Sequence, residues 1–392
     1  MSAREASPAP DYIARAEALA PLIQELAPAI ERERRLPQKL VDQMIDAGLF
    51  RMLLPRDYDG GETDPMTFVQ VLEAIARHDA STAWCLGQTG VCATASAFLP
   101  AESARAIWGD RRGILAWGAA PNVKAIAAPG GWRVTGSWSF ASGGHHASWI
   151  GGHCIACDAD GTPRRSATGG TVPRTLLFPA EKVAWTDIWR VIGLNGTGSD
   201  MYSVTDLFVP DEFSINREDL GERRLNRPLY RFRTDQLYAS GFACVALGIA
   251  RGMLDAFIAV ANEKTPRGYK SAMRLNAVTQ TEIAELEARL RSARHYILGT
   301  LESAWRAAQQ DELSVEHRMS IRLAATHCIR EARAIAGDAY NAVGTTSVFA
   351  SNPFERRLRD INAVSQQLQG RRSHYETVGK YLLGVESETL FL

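Results

Sequence analysis

The chain has 392 residues, 46% hydrophobic and 22% charged, which allows a large core in two or three packed layers. Lys plus Arg equals Asp plus Glu at 44 each, so no net field draws the chain onto nucleic acid or a membrane surface, and small molecules or copies of itself are the expected partners. Six cysteines, at 85, 92, 154, 157, 244 and 328, fit unpaired thiols in a reducing compartment.

His153-Cys154-Ile155-Ala156-Cys157 lacks the second ligand pair that a structural zinc site needs, so no metal is expected. No run reaches the length of a membrane span, and the N-terminus lacks the basic start and apolar stretch of a signal peptide, which reads as a cytoplasmic chain. A Walker-type loop and a Gly-x-Gly-x-x-Gly dinucleotide turn are both missing.

Residues 1–112 read as an all-helical domain. Ile13, Ala16, Leu19, Ala20, Ile23, Leu26, Ala27 and Ile30 recur at helical spacing over 11–34, with Pro8 and Pro10 ahead of them and Pro37 opening a second helix that Gly48 ends. Pro55-Arg56-Asp57-Tyr58-Asp59-Gly60-Gly61 is a turn cluster; Thr63 or Asp64 caps a third helix, and Asp79 or Ser81 caps a buried fourth that reaches Leu99.

Over 113–212 the period switches to two, in β-branched runs at 113–117, 132–135, 149–157 and 175–178, with 204–210 as a closing strand and 158–172 as an exposed hairpin loop. Residues 213–392 return to helical spacing over 235–263, 276–310, 314–343 and 353–384, which predicts a four-helix bundle with wide apolar faces.

The stretch Trp132–Trp149 is the densest in chemistry. It alternates up to Trp138, and Thr135-Gly136-Ser137 breaks the pattern as a bulge or tight turn would. Ser139, Ser142, Gly143 and Gly144 then supply small donors and open backbone, while Phe140 and Trp149 supply ring surface. A flat aromatic ligand could be stacked and hydrogen-bonded there; a hairpin rim with core aromatics fits the same residues. Gly196-Thr197-Gly198-Ser199 likewise reads as a plain turn or as part of a cleft.

Helices, then a β domain, then a bundle is an uncommon order. Together with Pro55–Gly61, Trp132–Gly143, Gly193–Ser199 leading to Asp206–Pro210, and Arg359-Asp360 ahead of Gly379 and Gly384, it resembles the acyl-CoA dehydrogenase fold over almost the whole chain. The resemblance implies an α+β architecture: an N-terminal helical domain, a central β-barrel or sandwich domain and a C-terminal four-helix bundle. It also implies a flavin held between the β domain and the bundle. By that resemblance Trp117, Phe140, Ala141, Ser142, Thr197 and Ser199 would contact the flavin, with Ser142 near N5, and Arg267, Arg274 and Gln280 would reach a flavin phosphate across a subunit boundary.

A dehydrogenase of this family needs a carboxylate base beside the flavin. At the usual place, after Asp360, the chain offers Gln366 and Gln367, and at the alternative place it offers Tyr238, with Asp235 nearby. The Phe140–Gly144 run, Trp149 and the Gly-Thr-Gly-Ser turn instead resemble the two-component flavin-dependent monooxygenases built on this fold. These take FMNH2 or FADH2 from a separate NAD(P)H-flavin reductase and react it with O2 to a C4a-hydroperoxyflavin that hydroxylates small aromatic or heteroaromatic compounds.

Phenol-type members carry histidines where this chain has Cys92 and Gln367. His145 and His146, just beyond Ser142, and His374 are then the candidate proton carriers, with surface or structural roles as the competing account. Trp84, Gln88, Cys92, Gln366 and Gln367 are the expected substrate-pocket residues. The resemblance implies a cytoplasmic homotetramer; an FAD-dependent acyl-CoA dehydrogenase and a non-catalytic flavin-binding relative are the alternatives.

Overall fold

The computed structural model describes residues 11–120, 122–167 and 169–385; Pro8 and Pro10 lie outside the described residues. The helix expected over 11–34 is two, α1 (Tyr12–Ala18) and α2 (Ala20–Glu33). Pro21 stands in the first turn of α2, where its missing N–H and ring cannot continue α1, so the chain breaks at Leu19. Pro37 precedes α3 (Gln38–Asp46), and Gly48 turns the chain away at φ +75°.

Of the paired cap candidates, Asp64 caps α4 (Pro65–Ala76) through the Thr67 amide, and Asp79 caps α5 (Ala80–Cys92) through Thr82. Every residue of α5 but Gln88 is buried. The sequence reading did not single out α6 (Ala101–Trp108).

The central domain is one mixed sheet of eight strands. They are β1 (Leu115–Trp117), β2 (Lys124–Ala128), β3 (Gly131–Trp138), β4 (Trp149–Cys157), β5 (Pro173–Pro179), β6 (Ala184–Thr186), β7 (Met201–Pro210) and β8 (Ser214–Ile215). Their order is β6-β7-β3-β2-β4-β5-β8, and β1 also runs parallel to β4, ahead of β2 along the same strand. The expected bulge is present: the β3–β7 register shifts between Val134 and Gly136, and a Cβ on Gly136 would come within 2.5 Å of Val123.

In the C-terminal region α7 (Thr234–Glu263), α8 (Ala277–Ala308) and α9 (Val315–Val343) are long and continuous. The expected fourth helix is instead two, α10 (Phe354–Ser365) and α11 (Ser373–Leu382), separated by a 3-10 turn at Leu368–Gly370. Gly370 sits so close to the preceding turn that a Cβ would stand 2.8 Å from the Ser365 carbonyl oxygen. Helix α7 is the one described helix long and apolar enough to cross a bilayer, yet 67% of its most apolar window is buried, as in a core helix. It packs against α4 and α5 on one side and α9 on the other.

The loop Gly193–Ser199 connects all three regions. A Cβ on Gly193 would lie 2.3 Å from the Arg359 carbonyl oxygen, and one on Gly196 would lie 2.1 Å from Ile30, so glycine is what lets this loop lie flush on α10 and α2. The Leu194 amide donates to the buried Asp360 carboxylate at 2.7 Å, and Arg359 joins Glu31, Glu355 and the Ile192 carbonyl. These contacts bring Thr197 and Ser199 to the flank of α5.

Candidate active site

Where α5 meets the β domain, four side chains form a continuous hydrogen-bonded row. Trp84 Nε1 donates to Ser142 Oγ at 3.1 Å, Ser142 and Ser199 hydroxyls lie 2.6 Å apart, Ser199 and Thr197 hydroxyls 2.7 Å apart, and Thr197 donates to the Leu194 carbonyl at 2.9 Å. All four side chains are buried. Gly143, at φ +75°, donates its amide to the Thr197 carbonyl at 3.1 Å, which fixes the hairpin turn against the loop. Ala141 is fully buried, and its amide faces the Asp200 carbonyl at 3.3 Å.

Phe140 stands outside this row. Its φ of +64° is rare for a non-glycine residue, and the residue is 62% exposed, its ring edge-on to Trp189 with centroids 5.8 Å apart. An apolar ring held open in a strained conformation beside buried hydroxyls is a suitable platform for a flat, hydrogen-bonding ring system such as a flavin.

Trp84, Gln88 and Cys92 recur at i, i+4 and i+8 on α5 and face Tyr238 and Phe242 of α7. Trp84 stacks on Phe242 at 3.7 Å, and Phe242 on Tyr238 at 5.4 Å. The Cys92 thiol lies 3.5 Å from the Tyr238 hydroxyl, and burial pushes its pKa up to about 12, so it stays a neutral thiol. Gln88 donates to the Trp117 carbonyl at 3.4 Å. Trp117 is itself a core residue, with Arg217 over its ring at 4.5 Å and His153 edge-on at 5.1 Å. Among the described residues no carboxylate hydrogen-bonds to this aromatic wall or to the hydroxyl row.

The histidines lie off the row. His145 Nε2 is 2.7 Å from Asp200 Oδ2, while the other Asp200 oxygen accepts the Ile188 and Trp189 amides at 2.9 Å each. His146 is half-buried against Phe50, its Nε2 buried without a partner, and burial followed by the neighbouring His145 lowers its pKa to about 4. His374 lines a separate cavity of about 250 Å³ with Asp235, Gln236 and Arg322. There it accepts from Arg322 at 3.1 Å and donates to the Leu368 carbonyl at 2.7 Å, which assigns it the neutral form. Burial raises the Asp235 carboxyl in that cavity to about 6.

Gln366 is exposed, with its amide 3.4 Å from Ser365, and Gln367 is half-buried at the start of the 3-10 turn; no described hydrogen bond joins either to the hydroxyl row. Arg267 and Arg274 are exposed on the segment joining α7 to α8, and Gln280 is exposed in the first turn of α8, where it donates to the Arg274 carbonyl at 2.9 Å. Sequence reasoning passed over Phe242, Arg217 and Asp200. The Tyr238–Phe242 pair at i, i+4 was the legible signal for the α7 half of the wall.

Two family models match the chain: acyl-CoA dehydrogenase, N-terminal domain, over residues 14–105, and acyl-CoA dehydrogenase, C-terminal domain, over residues 240–369. The chain is 27% identical to the indole-3-acetate monooxygenase of Pseudomonas putida, over 90% of this chain and 89% of the relative. It is also 27% identical to the oxygenase component of the FADH2-dependent resorcinol hydroxylase of a Rhizobium species, over 95% and 94%. The crystal structure of the 3-HSA hydroxylase of Rhodococcus sp. RHA1 superposes with a TM-score of 0.90 at 24% identity, covering 97% of this chain and 99% of that one. The two acyl-CoA dehydrogenase family models, which together match more than half of the chain, place it in the acyl-CoA dehydrogenase family, where it is similar to monooxygenases.

Proposed function

We propose that the protein is the oxygenase component of a two-component flavin-dependent monooxygenase that hydroxylates a small aromatic or heteroaromatic compound. The observation that carries this reading is the pairing of an aromatic wall with a buried hydroxyl row, to neither of which a carboxylate among the described residues is hydrogen-bonded. A proton abstraction α to a thioester requires a carboxylate base there, and none of the described carboxylates is bonded to the wall or the row. Reduced flavin, when bound, supplies the activation of O2 and the oxygen that is transferred.

The chain's own residues do the rest. Phe140 offers a ring face to the flavin, Ala141 and Ser142 line the hydrogen-bonding edge, and Thr197 and Ser199 back Ser142 in the buried row, with Trp117 packed behind Gln88. Trp84, Gln88, Cys92, Tyr238 and Phe242 exclude water and orient a flat substrate by stacking and by neutral hydrogen bonds. Burial keeps Cys92 a thiol and His146 a neutral imidazole at physiological pH, so neither brings a charge to the site. His145 acts through Asp200 as a positioning residue that fixes the 187–189 segment beside Phe140.

Arg267, Arg274 and Gln280 serve the flavin phosphate of a neighbouring subunit in a homotetramer. Exposed Tyr269, Leu275 and Val278 beside them support a subunit contact at that surface. A separate NAD(P)H-flavin reductase supplies the reduced flavin, and six buried free thiols fit a cytoplasmic setting.

The test is anaerobic loading with FMNH2 or FADH2, followed by 18O2 and a panel of indoles, indole acids and phenols read by mass spectrometry. One 18O atom in a hydroxylated product is expected. A protein that instead purifies with tightly bound FAD and is bleached by an acyl-CoA without O2 is a dehydrogenase, and the proposal fails.

A further inference from the structure

The hydroxyl row has a fixed direction. A carbonyl can only accept, so Thr197 is the donor to Leu194 at 2.9 Å. A hydroxyl carries one hydrogen, so the 2.7 Å contact between Thr197 and Ser199 uses the Ser199 hydrogen, and the 2.6 Å contact between Ser199 and Ser142 uses the Ser142 hydrogen. At the other end the indole N–H of Trp84 can only donate, and it does so to Ser142 at 3.1 Å. Ser142 therefore accepts one bond, gives one, and keeps a single lone pair. Thr197 and Ser199 are each 2% exposed and Ser142 5%, which shields the row from the solvent that would otherwise reset it.

We propose that this one-way row makes Ser142 an acceptor-only contact and so selects a cleft ligand that presents a hydrogen-bond donor. The inference rests on the flavin reading above. Reduced flavin carries a hydrogen on N5, whereas oxidised flavin presents a lone pair there, so the row favours the reduced form. Trp84, Thr197 and Ser199 are then positioning residues that set redox preference without touching the flavin.

Satisfying an oxidised flavin would require the row to reverse: Thr197 would donate to Ser199, Ser199 to Ser142, and Ser142 outward. That reversal loses the Thr197 bond to Leu194, whose carbonyl retains the Trp189 indole N–H at 3.0 Å. The difference between the two redox forms is one net hydrogen bond, worth about a three- to tenfold ratio in affinity.

The experiment titrates oxidised and photoreduced FMN and FAD, without O2, into wild-type protein and the variants Thr197→Val, Ser199→Ala and Thr197→Ser, with bound flavin measured by equilibrium dialysis. Thr197→Val and Ser199→Ala each free the Ser142 hydrogen to turn outward. Oxidised flavin should then bind more tightly, and the reduced-to-oxidised affinity ratio should fall about fivefold. Thr197→Ser restores the donor and should keep the wild-type ratio. An unchanged ratio in whichever of the two disrupting variants folds and binds overturns the inference while leaving the flavin reading intact. Wild-type protein that binds neither redox form overturns the flavin reading, and the inference with it.

Discussion

Helix α7 builds the walls of two pockets that differ in charge. On the face toward α5, Tyr238 and Phe242 join Trp84, Gln88, Cys92 and the hydroxyl row, where every side chain is neutral. In its first turn, Asp235 and Gln236 face a cavity shared with Arg322 and His374, where charges meet at 3.9 Å between Arg322 and Asp235. A pocket that keeps a reactive oxygen species from stray protons has to be dry and free of titrating groups. The first carries a neutral thiol, phenol and amide, with the Arg217 guanidinium behind Trp117, whereas the second holds an ion pair beside a histidine, even though one helix lines both.

The sharpest way to break the contrast is to put a charge in the neutral pocket. Cys92 is fully buried, so Cys92→Asp should cost more than about 3 kcal/mol of stability, read from the denaturant midpoint, because an unpaired carboxylate would be taken out of water. A midpoint within error of wild type would mean that the pocket is wet. Next comes the scaffold beneath it. Asp200→Ala removes the acceptor for His145 and for two amides and should cost about 3 kcal/mol, whereas His145→Gln, which retains a donor, should cost well under half of that.

The charged cavity should also show itself through pH. Burial is the main cause of the raised Asp235 pKa of about 6, followed by Glu218, with Arg322 and Arg233 opposing. Between about pH 4 and 6 the folded chain retains a proton that the unfolded chain releases, so this group makes stability fall as pH rises through that window. Asp235→Asn should flatten that slope, a change of about 3 kcal/mol across it. His146, lowered to about 4, and His153, lowered to about 3, act in the opposite sense: the unfolded chain binds their protons below about 6.5, so their contribution is lost as pH falls. A wild-type-like slope in Asp235→Asn would place the titration elsewhere.

Ser142→Ala sharpens the contrast from the functional side. It should leave folding intact while shifting about tenfold more of the consumed O2 into hydrogen peroxide, equivalent to about 1.4 kcal/mol of lost discrimination. Unchanged coupling of O2 to product would remove Ser142 from the mechanism. The smallest effect belongs to Gln280→Ala, a few-fold weakening of flavin affinity that should appear only in the assembled oligomer, as seen by sedimentation alongside the titration.

Much of the fold was legible because it depends on local rules. Asp64 and Asp79 announce helix starts by offering a carboxylate to the third amide on, and the broken alternation at Thr135-Gly136-Ser137 marks the β3 bulge. The strands β6 and β8 were not legible, since three- and two-residue strands carry no period of their own. The split between α10 and α11 was hidden too: Gln366–Arg372 keeps helix-forming residues, and the break is imposed where Gly370 presses on the preceding turn.

In the site, Ser142, Thr197 and Ser199 stood out as small hydroxyls beside glycines, but nothing in the chain order joined them into one row with Trp84. His145 and His146 look alike in sequence, and only tertiary contacts separate a histidine paired with Asp200 from one whose Nε2 is buried without a partner. Periodicity, caps and turn residues thus determined the order of helices, sheet and helices, and the hairpin around Ser142 as the richest stretch in the chain, because those signals act over a few residues. Which hydroxyl gives its hydrogen to which, and which titratable groups stay out of the pocket, was decided by the tertiary structure, since hydrogen-bond direction and desolvation depend on neighbours that lie 58 residues away along the chain, as Trp84 does from Ser142.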